Sequence, residues 1–285
     1  MIELSALAKI NLTLEVLGKR DDGYHDIMTV LQTINMADRI SLELSDELSF
    51  VCHDAGVACV DKLRESLVGA ANLIKRQTGC QLGTVIHVDK ISIPRAAGLG
   101  SSSTDCAAVL KGLNRLWELG LGHEDLSLLA SAIGSDTPFF IHGGTALAEG
   151  RGEKITPVDN PPRTWLVLLS PPIEPVGEKT AQMYGKLDKT HYSDGNRSRR
   201  MVEKLKSDGA LYFEMLYNTF EIVAFDFFPQ LSKYWQMFLD EGFDQVRLAG
   251  AGPAMFTLVN EREEGERLVE RLKQKGQSAC LTHTV

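Results

Sequence analysis

One stretch constrains the fold more than any other: Pro94-Arg95-Ala96-Ala97-Gly98-Leu99-Gly100-Ser101-Ser102-Ser103-Thr104. Before it, residues 84–93 are rich in β-branched side chains and end at a proline, which predicts a strand. After it, Cys106, Val109, Leu110, Leu113, Leu116 and Trp117 recur at helical spacing, which predicts a helix over 105–119. The stretch is therefore a small-residue loop between a strand and a helix N-terminus. The first turn of a helix carries unpaired N–H groups and the positive end of the helix dipole. Gly98 and Gly100 let a backbone approach a ligand closely, and four consecutive hydroxyls add donors. That combination suits phosphate. The same pattern also serves as a plain tight turn with an N-cap. It is not a Walker loop, because no Gly-Lys-Ser/Thr closes it. It is not the dinucleotide fingerprint, because Ser103 stands at the third glycine.

Composition narrows the setting. The 285 residues are 44% hydrophobic and 24% charged, enough for a substantial core in one large or two smaller domains. A net charge of -8 excludes a general nucleic-acid surface, which needs a basic excess. A local anionic ligand is still compatible, with Lys9, Lys19, Arg20, Lys90 and Arg95 as candidate cations. Cys52, Cys59, Cys80, Cys106 and Cys280 are odd in number and irregular in spacing, so neither a disulfide framework nor a zinc pattern fits. Free thiols in a reducing cytosol are the expectation. The N-terminus lacks a basic region followed by a long apolar core, so no signal peptide is expected. The aliphatic run Trp165–Leu169 is far short of a membrane span. No membrane partner is expected, and the localisation expected is cytoplasmic.

Taken in order, residues 4–16 alternate in polarity and read as a strand, with Lys9 and Asn11 on one side of it. A lysine there either snorkels to solvent or serves a site. Residues 18–25 form a turn punctuated by Asp22-Gly23, followed by Tyr24 and His25. Those two are either a loop-closing aromatic with a surface histidine, or a platform and hydrogen-bonding edge for a flat heterocycle. Residues 27–44 read as two strands with a turn at 36–39, and residues 63–78 as a helix ended by Gly79. His123–Ile133 reads as a short helix. Asp136, in Gly134-Ser135-Asp136-Thr137-Pro138, either caps a turn or is a partly buried carboxylate poised as a base. Residues 145–148 read as a strand and Gly150-Arg151-Gly152 as a turn. The proline-rich 157–163 marks a domain boundary, and Trp165–Leu169 starts a new buried strand. Residues 186–200 read as a solvated loop or helix face. Residues 211–225 and 230–240 read as helices. Strand, glycine turn (Gly250-Ala251-Gly252-Pro253) and strand then follow over 245–259. A charged helix over 261–275 and a strand over 278–284 complete helices packed on a small antiparallel sheet.

Three segments stand in order: AKINLTLEVLGKRDDGYH, IPRAAGLGSSSTDCAAVLKGLN and LAGAGPAMF. Together they resemble the three motifs of the GHMP kinases, small-molecule kinases named for galactose, homoserine, mevalonate and phosphomevalonate. The first segment, with Thr29-Val30-Leu31-Gln32 and 134–140, resembles the branch acting on 4-diphosphocytidyl-2-C-methyl-D-erythritol. The resemblance covers nearly the whole chain. It implies an α+β, two-domain GHMP kinase fold. Residues 1–158 would be ribosomal protein S5 domain 2-like, residues 159–285 ferredoxin-like, and the active site would lie in the cleft. It implies ATP-dependent phosphorylation of the 2-hydroxyl of that cytidine diphosphate derivative, in the non-mevalonate route to isopentenyl diphosphate.

The resemblance also implies roles. Asp136 would be the general base, and Lys9 would keep it ionised and stabilise charge at the reacting oxygen. Asn11 would position the erythritol hydroxyls. Tyr24 and His25 would hold the cytosine, with Tyr184 as a second aromatic wall. The whole stretch 94–104 would wrap the ATP phosphates. Mg2+ would arrive with ATP, held largely by phosphates and water. A monomer or weak homodimer is expected. Four positions depart from the pattern: Ser101 and Ser102 replace the commoner Gly-Gly, Ala251 replaces a serine, and Ser66 replaces an asparagine near the adenine. Another GHMP kinase acceptor, or a catalytically silent binding protein on the same fold, stays open at this point.

Overall fold

A computed structural model describes residues 1–54, 60–174 and 176–285; Cys59 lies outside the described residues. The chain divides into two compact units. One comprises Met1–Ala8, Met36–Arg95 and Gly100–Gly143; the other comprises Lys9–Asn35, Ala96–Leu99 and Gly144–Val285. Two long strands, β1 (Ile2–Lys19) and β2 (His25–Ser45), contribute one part to each unit.

In the first unit, β3 (Leu48–Cys52) pairs in parallel with β4 (Gly83–Lys90). Strand β4 runs antiparallel to the C-terminal part of β2, from Ile40 opposite Val88 to Ser45 opposite Gly83. The helices are α1 (Val60–Thr78), α2 (Ser101–Leu116), α3 (His123–Ile133) and α4 (Thr137–His142). Helix α1 buries Leu63, Leu67, Ala70, Ala71 and Ile74, the one face its periodicity defines. Helix α2 lies directly on the strands at Gly112. A Cβ there would come within 2.5 Å of both Leu4 Cδ1 and Leu42 Cδ1.

The second unit adds β5 (Thr145–Gly150), β6 (Lys154–Val158), β7 (Trp165–Leu169), α5 (Lys179–Gly185), α6 (Asn196–Asp208), β8 (Tyr217–Asn218), α7 (Glu221–Phe227), α8 (Leu231–Asp240), β9 (Arg247–Leu248), β10 (Met255–Val259), α9 (Arg262–Gln274) and β11 (Ala279–His283). Strand β5 pairs antiparallel with β2 and with β6, and β8 pairs in parallel with β1. A separate four-stranded sheet has the order β11-β7-β10-β9, antiparallel throughout. Its core joins Val167, Leu169, Leu248 and Met255 to Phe220, Phe238, Leu268 and Leu272. Apolar burial of this kind contributes roughly 1.5–3 kcal/mol per large side chain.

Four expectations change. The turn expected at 36–39 is absent, and β2 runs through it with a register shift between Arg39 and Ile40. The polar pair read as a turn is instead a bulged strand whose Asp38 points into the interior. The strand expected to reach 93 stops at Lys90, because Asp38 captures the N–H groups of Ser92 and Ile93. Helix α2 starts four residues earlier than expected, so the hydroxyl run lies inside its first turn. The helix expected over 211–225 is broken into a 3-10 turn at Phe213–Met215, strand β8 and α7. Among the described residues no helix is long and apolar enough to cross a membrane. Cys52, Cys80, Cys106 and Cys280 are free thiols.

Candidate active site

The small-residue loop has an alternating backbone. Ala96, Gly98 and Gly100 have φ of 55°, 88° and 76°. Left-handed residues alternating with ordinary ones turn successive N–H groups inward, a geometry that cradles anions. Gly98 is required twice over, by its φ and by its packing: a Cβ would stand 1.9 Å from Ala249 O. Gly100 caps α2 with no side-chain capping bond, so the first turn presents its donors uncapped. Ser101 and Thr104 are buried, while Ser102 is exposed and Ser103 partly so.

In the first unit the loop is anchored through Arg95. Its guanidinium lies 2.9 Å from Asp38 Oδ2 and 2.6 Å from Asp105 Oδ2. Asp38 Oδ1 also accepts the N–H groups of Ser92 at 2.6 Å and Ile93 at 2.8 Å. Both carboxylates are buried. Burial, reinforced by Asp38 and opposed by Arg95, pushes the Asp105 carboxyl up to about 7. Burial also raises Asp38, against its N–H donors and Arg95. One arginine cannot neutralise two buried carboxylates, so the cluster retains a proton. The Arg95 side chain is thus an anchor for the loop. Asp136 stands at the N-cap position of α4 and makes no side-chain capping bond to it.

In the second unit Lys9 and Asn11 share a face, as their spacing predicts. Lys9 Nζ donates to Asn11 Oδ1 at 2.7 Å, and Asn11 Nδ2 donates to Thr29 Oγ1 at 2.8 Å. Lys9 N donates to Leu99 O at 3.1 Å, which seats the loop against β1. The turn 250–253 closes the other side, where Ala254 N donates to Ala97 O at 3.2 Å. Gly250 makes room for the lysine: a Cβ there would lie 3.0 Å from Lys9 Nζ. Asn218 holds this turn, donating to Leu248 O at 2.9 Å and Gly250 O at 2.8 Å. Glu221 Oε1 accepts Leu248 N at 2.9 Å, and burial pushes its carboxyl up to about 7. Lys179 Nζ donates to Ala96 O at 2.7 Å and to Gly252 O.

The three aromatic candidates divide between a buried stack and an exposed ring. His25 is buried and stacks on Tyr184, with ring centroids 4.8 Å apart and 13° between planes. Tyr192 meets its edge, and Tyr184 in turn packs on Phe220. Burial, and then the charge of Lys19, hold the imidazole below its usual pKa, hence neutral. Its Nε2 is buried with no hydrogen-bond partner among the described residues. A buried nitrogen in that state is costly unless a ligand meets it. Tyr24 points outward, 53% exposed, with the Arg151 guanidinium 4.7 Å from its ring centre. Sequence reasoning missed Asp38, Asp105, Arg151, Lys179 and Asn218. Only Arg151, set between two glycines, carried a local signal. Among the described residues no group of three His, Cys, Asp or Glu side chains could hold a metal ion.

A loop with alternating positive φ, a buried lysine on a neighbouring strand and a glycine turn are packed together here. Residues 65–144 match the family model for the GHMP kinases N terminal domain, and residues 198–278 match that for GHMP kinases C terminal. A 4-diphosphocytidyl-2-C-methyl-D-erythritol kinase of Dehalococcoides mccartyi is 40% identical over 100% of this chain and 99% of its own. One of Brevibacillus brevis is 37% identical over 95% of this chain and 92% of its own. The crystal structure of a 4-(cytidine 5'-diphospho)-2C-methyl-D-erythritol kinase superposes with a TM-score of 0.81 at 29% identity, covering 99% of both chains. A homoserine kinase from Cytophaga hutchinsonii shares the fold, with a TM-score of 0.74 at 17% identity over 100% of this chain and 94% of its own. The chain belongs to the GHMP kinases and, within them, to the family of 4-diphosphocytidyl-2-C-methyl-D-erythritol kinases.

Proposed function

We propose that this chain transfers the γ-phosphoryl group of ATP to the 2-hydroxyl of 4-diphosphocytidyl-2-C-methyl-D-erythritol, giving the 2-phosphate and ADP. The reaction would belong to the non-mevalonate route of isoprenoid biosynthesis. The observation that carries the acceptor is the environment of His25. It is a neutral, buried imidazole, backed by Tyr184, with an unmet ring nitrogen. A pyrimidine supplies both a hydrogen-bonding edge and a stacking face. Tyr24, whose ring already takes a planar cation, is the second flat surface for the cytidyl group.

Phosphoryl transfer asks chiefly for positioning and charge stabilisation. In this reading Asp136 takes the proton as the acceptor oxygen attacks the γ-phosphorus, and the bond to the β-phosphate oxygen breaks. Lys9, oriented by Asn11, stabilises charge at the reacting oxygen. Asn11 orients the erythritol hydroxyls, and 94–104 wraps the triphosphate with backbone donors. The loop hydroxyls are hard oxygen donors of the kind Mg2+ accepts, alongside phosphate and water. When bound there, Mg2+ supplies charge neutralisation at the phosphates. The reading includes a functional division at 158/159, a cytoplasmic setting, no nucleic-acid partner, and a monomer or weak homodimer.

The test is ADP release with Mg-ATP and, separately, 4-diphosphocytidyl-2-C-methylerythritol, mevalonate, homoserine, galactose or no acceptor. Turnover on the first alone is expected. Turnover on another acceptor would transfer the assignment to that branch, and ATP binding without any turnover would favour a silent binding protein.

A further inference from the structure

An ammonium group that leaves water is ordinarily met by a carboxylate. Lys179 is not. Its Nζ is held by two backbone carbonyls, Ala96 O in the phosphate loop and Gly252 O in the turn beneath it. Two of its three donors are thereby used, and the third remains for a ligand. Lys9 is close enough to repel it, and burial together with that repulsion holds its pKa at about 8. Lys9 Nζ reaches the same turn, 3.0 Å from where a Gly250 Cβ would stand. Two like charges therefore approach one short segment, beside a loop in which Ala96 and Gly98 have positive φ. The burial of Lys179 and its repulsion by Lys9 are both relieved when an anion enters.

We infer that Lys179 is a phosphate-binding residue of this kinase, working with Lys9 on the phosphate chain seated at Ala96–Leu99. The ligand class is a di- or triphosphate with non-bridging oxygens. Its source is either the nucleotide or the diphosphate of the cytidyl acceptor. Only the second source rests on the acceptor assignment above. A simpler role is a staple joining Ala96 to Gly252, and the experiment must separate the two. Lys179→Gln does so, because an amide still donates to carbonyls but carries no charge, and Lys179→Arg keeps the charge.

The probe is inorganic tripolyphosphate, titrated calorimetrically into the full chain and both variants, with urea midpoints as the check of folding. Lys179→Gln is expected to weaken binding at least tenfold and to make the affinity less sensitive to salt, because one contacting charge is gone. Lys179→Arg is expected to stay within threefold of the parent. A staple alone predicts the reverse pattern, with Lys179→Gln binding like the parent, and that result overturns the inference. ADP and CDP then identify the source. A loss confined to ADP assigns Lys179 to the nucleotide, and a loss confined to CDP assigns it to the acceptor. None of these titrations requires turnover, so a wrong acceptor assignment leaves their outcome intact.

Discussion

Replacing Asp105 by asparagine should change how stability depends on pH, and in a direction opposite to an ordinary salt bridge. Asp105 is 1% exposed and shares Arg95 with Asp38, which is itself buried. Its pKa is pushed from 3.8 to about 7, with burial as the first cause and Asp38 as an addition. At about 1.4 kcal/mol per pKa unit, the shift corresponds to about 4 kcal/mol. The sign follows from proton counts. Between about pH 4 and pH 7 the folded chain keeps a proton that the unfolded chain has released. Stability through this group is therefore full below pH 4 and is lost as pH rises to 7. Asparagine keeps an oxygen for Arg95 and a donor for Asp38, and it has no proton to lose. Urea unfolding of both proteins from about pH 5 to pH 8.5 reads the difference directly. The Asp105→Asn protein should gain on the parent across that range and level off near the top. Glu221 and the other titrating groups remote from the cluster are common to both proteins and cancel in the difference, while Asp38 belongs to the cluster being tested. Two stability curves that run parallel over the range would refute the shared-proton account of the anchor.

The remaining predictions concern catalysis and recognition. Asp136→Asn should lower kcat by roughly 100-fold or more, the scale of lost general-base catalysis, and leave the ATP Kd within a few fold; steady-state kinetics with near-normal kcat would reject the base assignment. Tyr24→Ala should raise KM for the cytidyl acceptor far more than for ATP, and equal losses would count against the cytosine platform. Gly98→Ala forces a Cβ to 1.9 Å from Ala249 O at a φ of +88°. It should cost more than the roughly 1–2 kcal/mol of a left-handed alanine and weaken ATP binding at least tenfold. Unchanged thermal midpoint and ATP affinity would show that the loop is not packed on that turn.

Local pattern was a good guide where local physics decides. Helix α3 and strand β7 have the boundaries their periodicity predicts, and Lys9 and Asn11 bond to each other because strand residues two apart share a face. It failed where a distant partner overrides propensity. Asp38-Arg39 looks like a turn in isolation, yet Asp38 is buried because Arg95 and the backbone of 92–93 require an acceptor there. Residues 211–225 have a helical apolar pattern, but Asn218 spends both ends of its amide on the turn at 248–250 and on Phe220 N, and Thr219 bonds Leu14 O. No helix runs through 217–219 under those demands, and α7 begins only after them. Lys179 was invisible for the same reason, since its two acceptors lie far from it in sequence. The glycine motifs themselves were legible because left-handed backbone admits little else.

The loop proposed to receive phosphate takes its shape from segments made at very different times. Leu99 O is bonded to residue 9, already synthesised, but Ala97 O waits for Ala254, and Gly98 packs on Ala249. A chain growing from its N-terminus exposes the loop long before the turn that shapes it exists. Contacts of such separation close slowly, after local helices have formed. Nucleotide competence is therefore a property the polypeptide acquires only near the end of its synthesis, and a ribosome-bound fragment ending before residue 249 should neither capture ATP nor waste it.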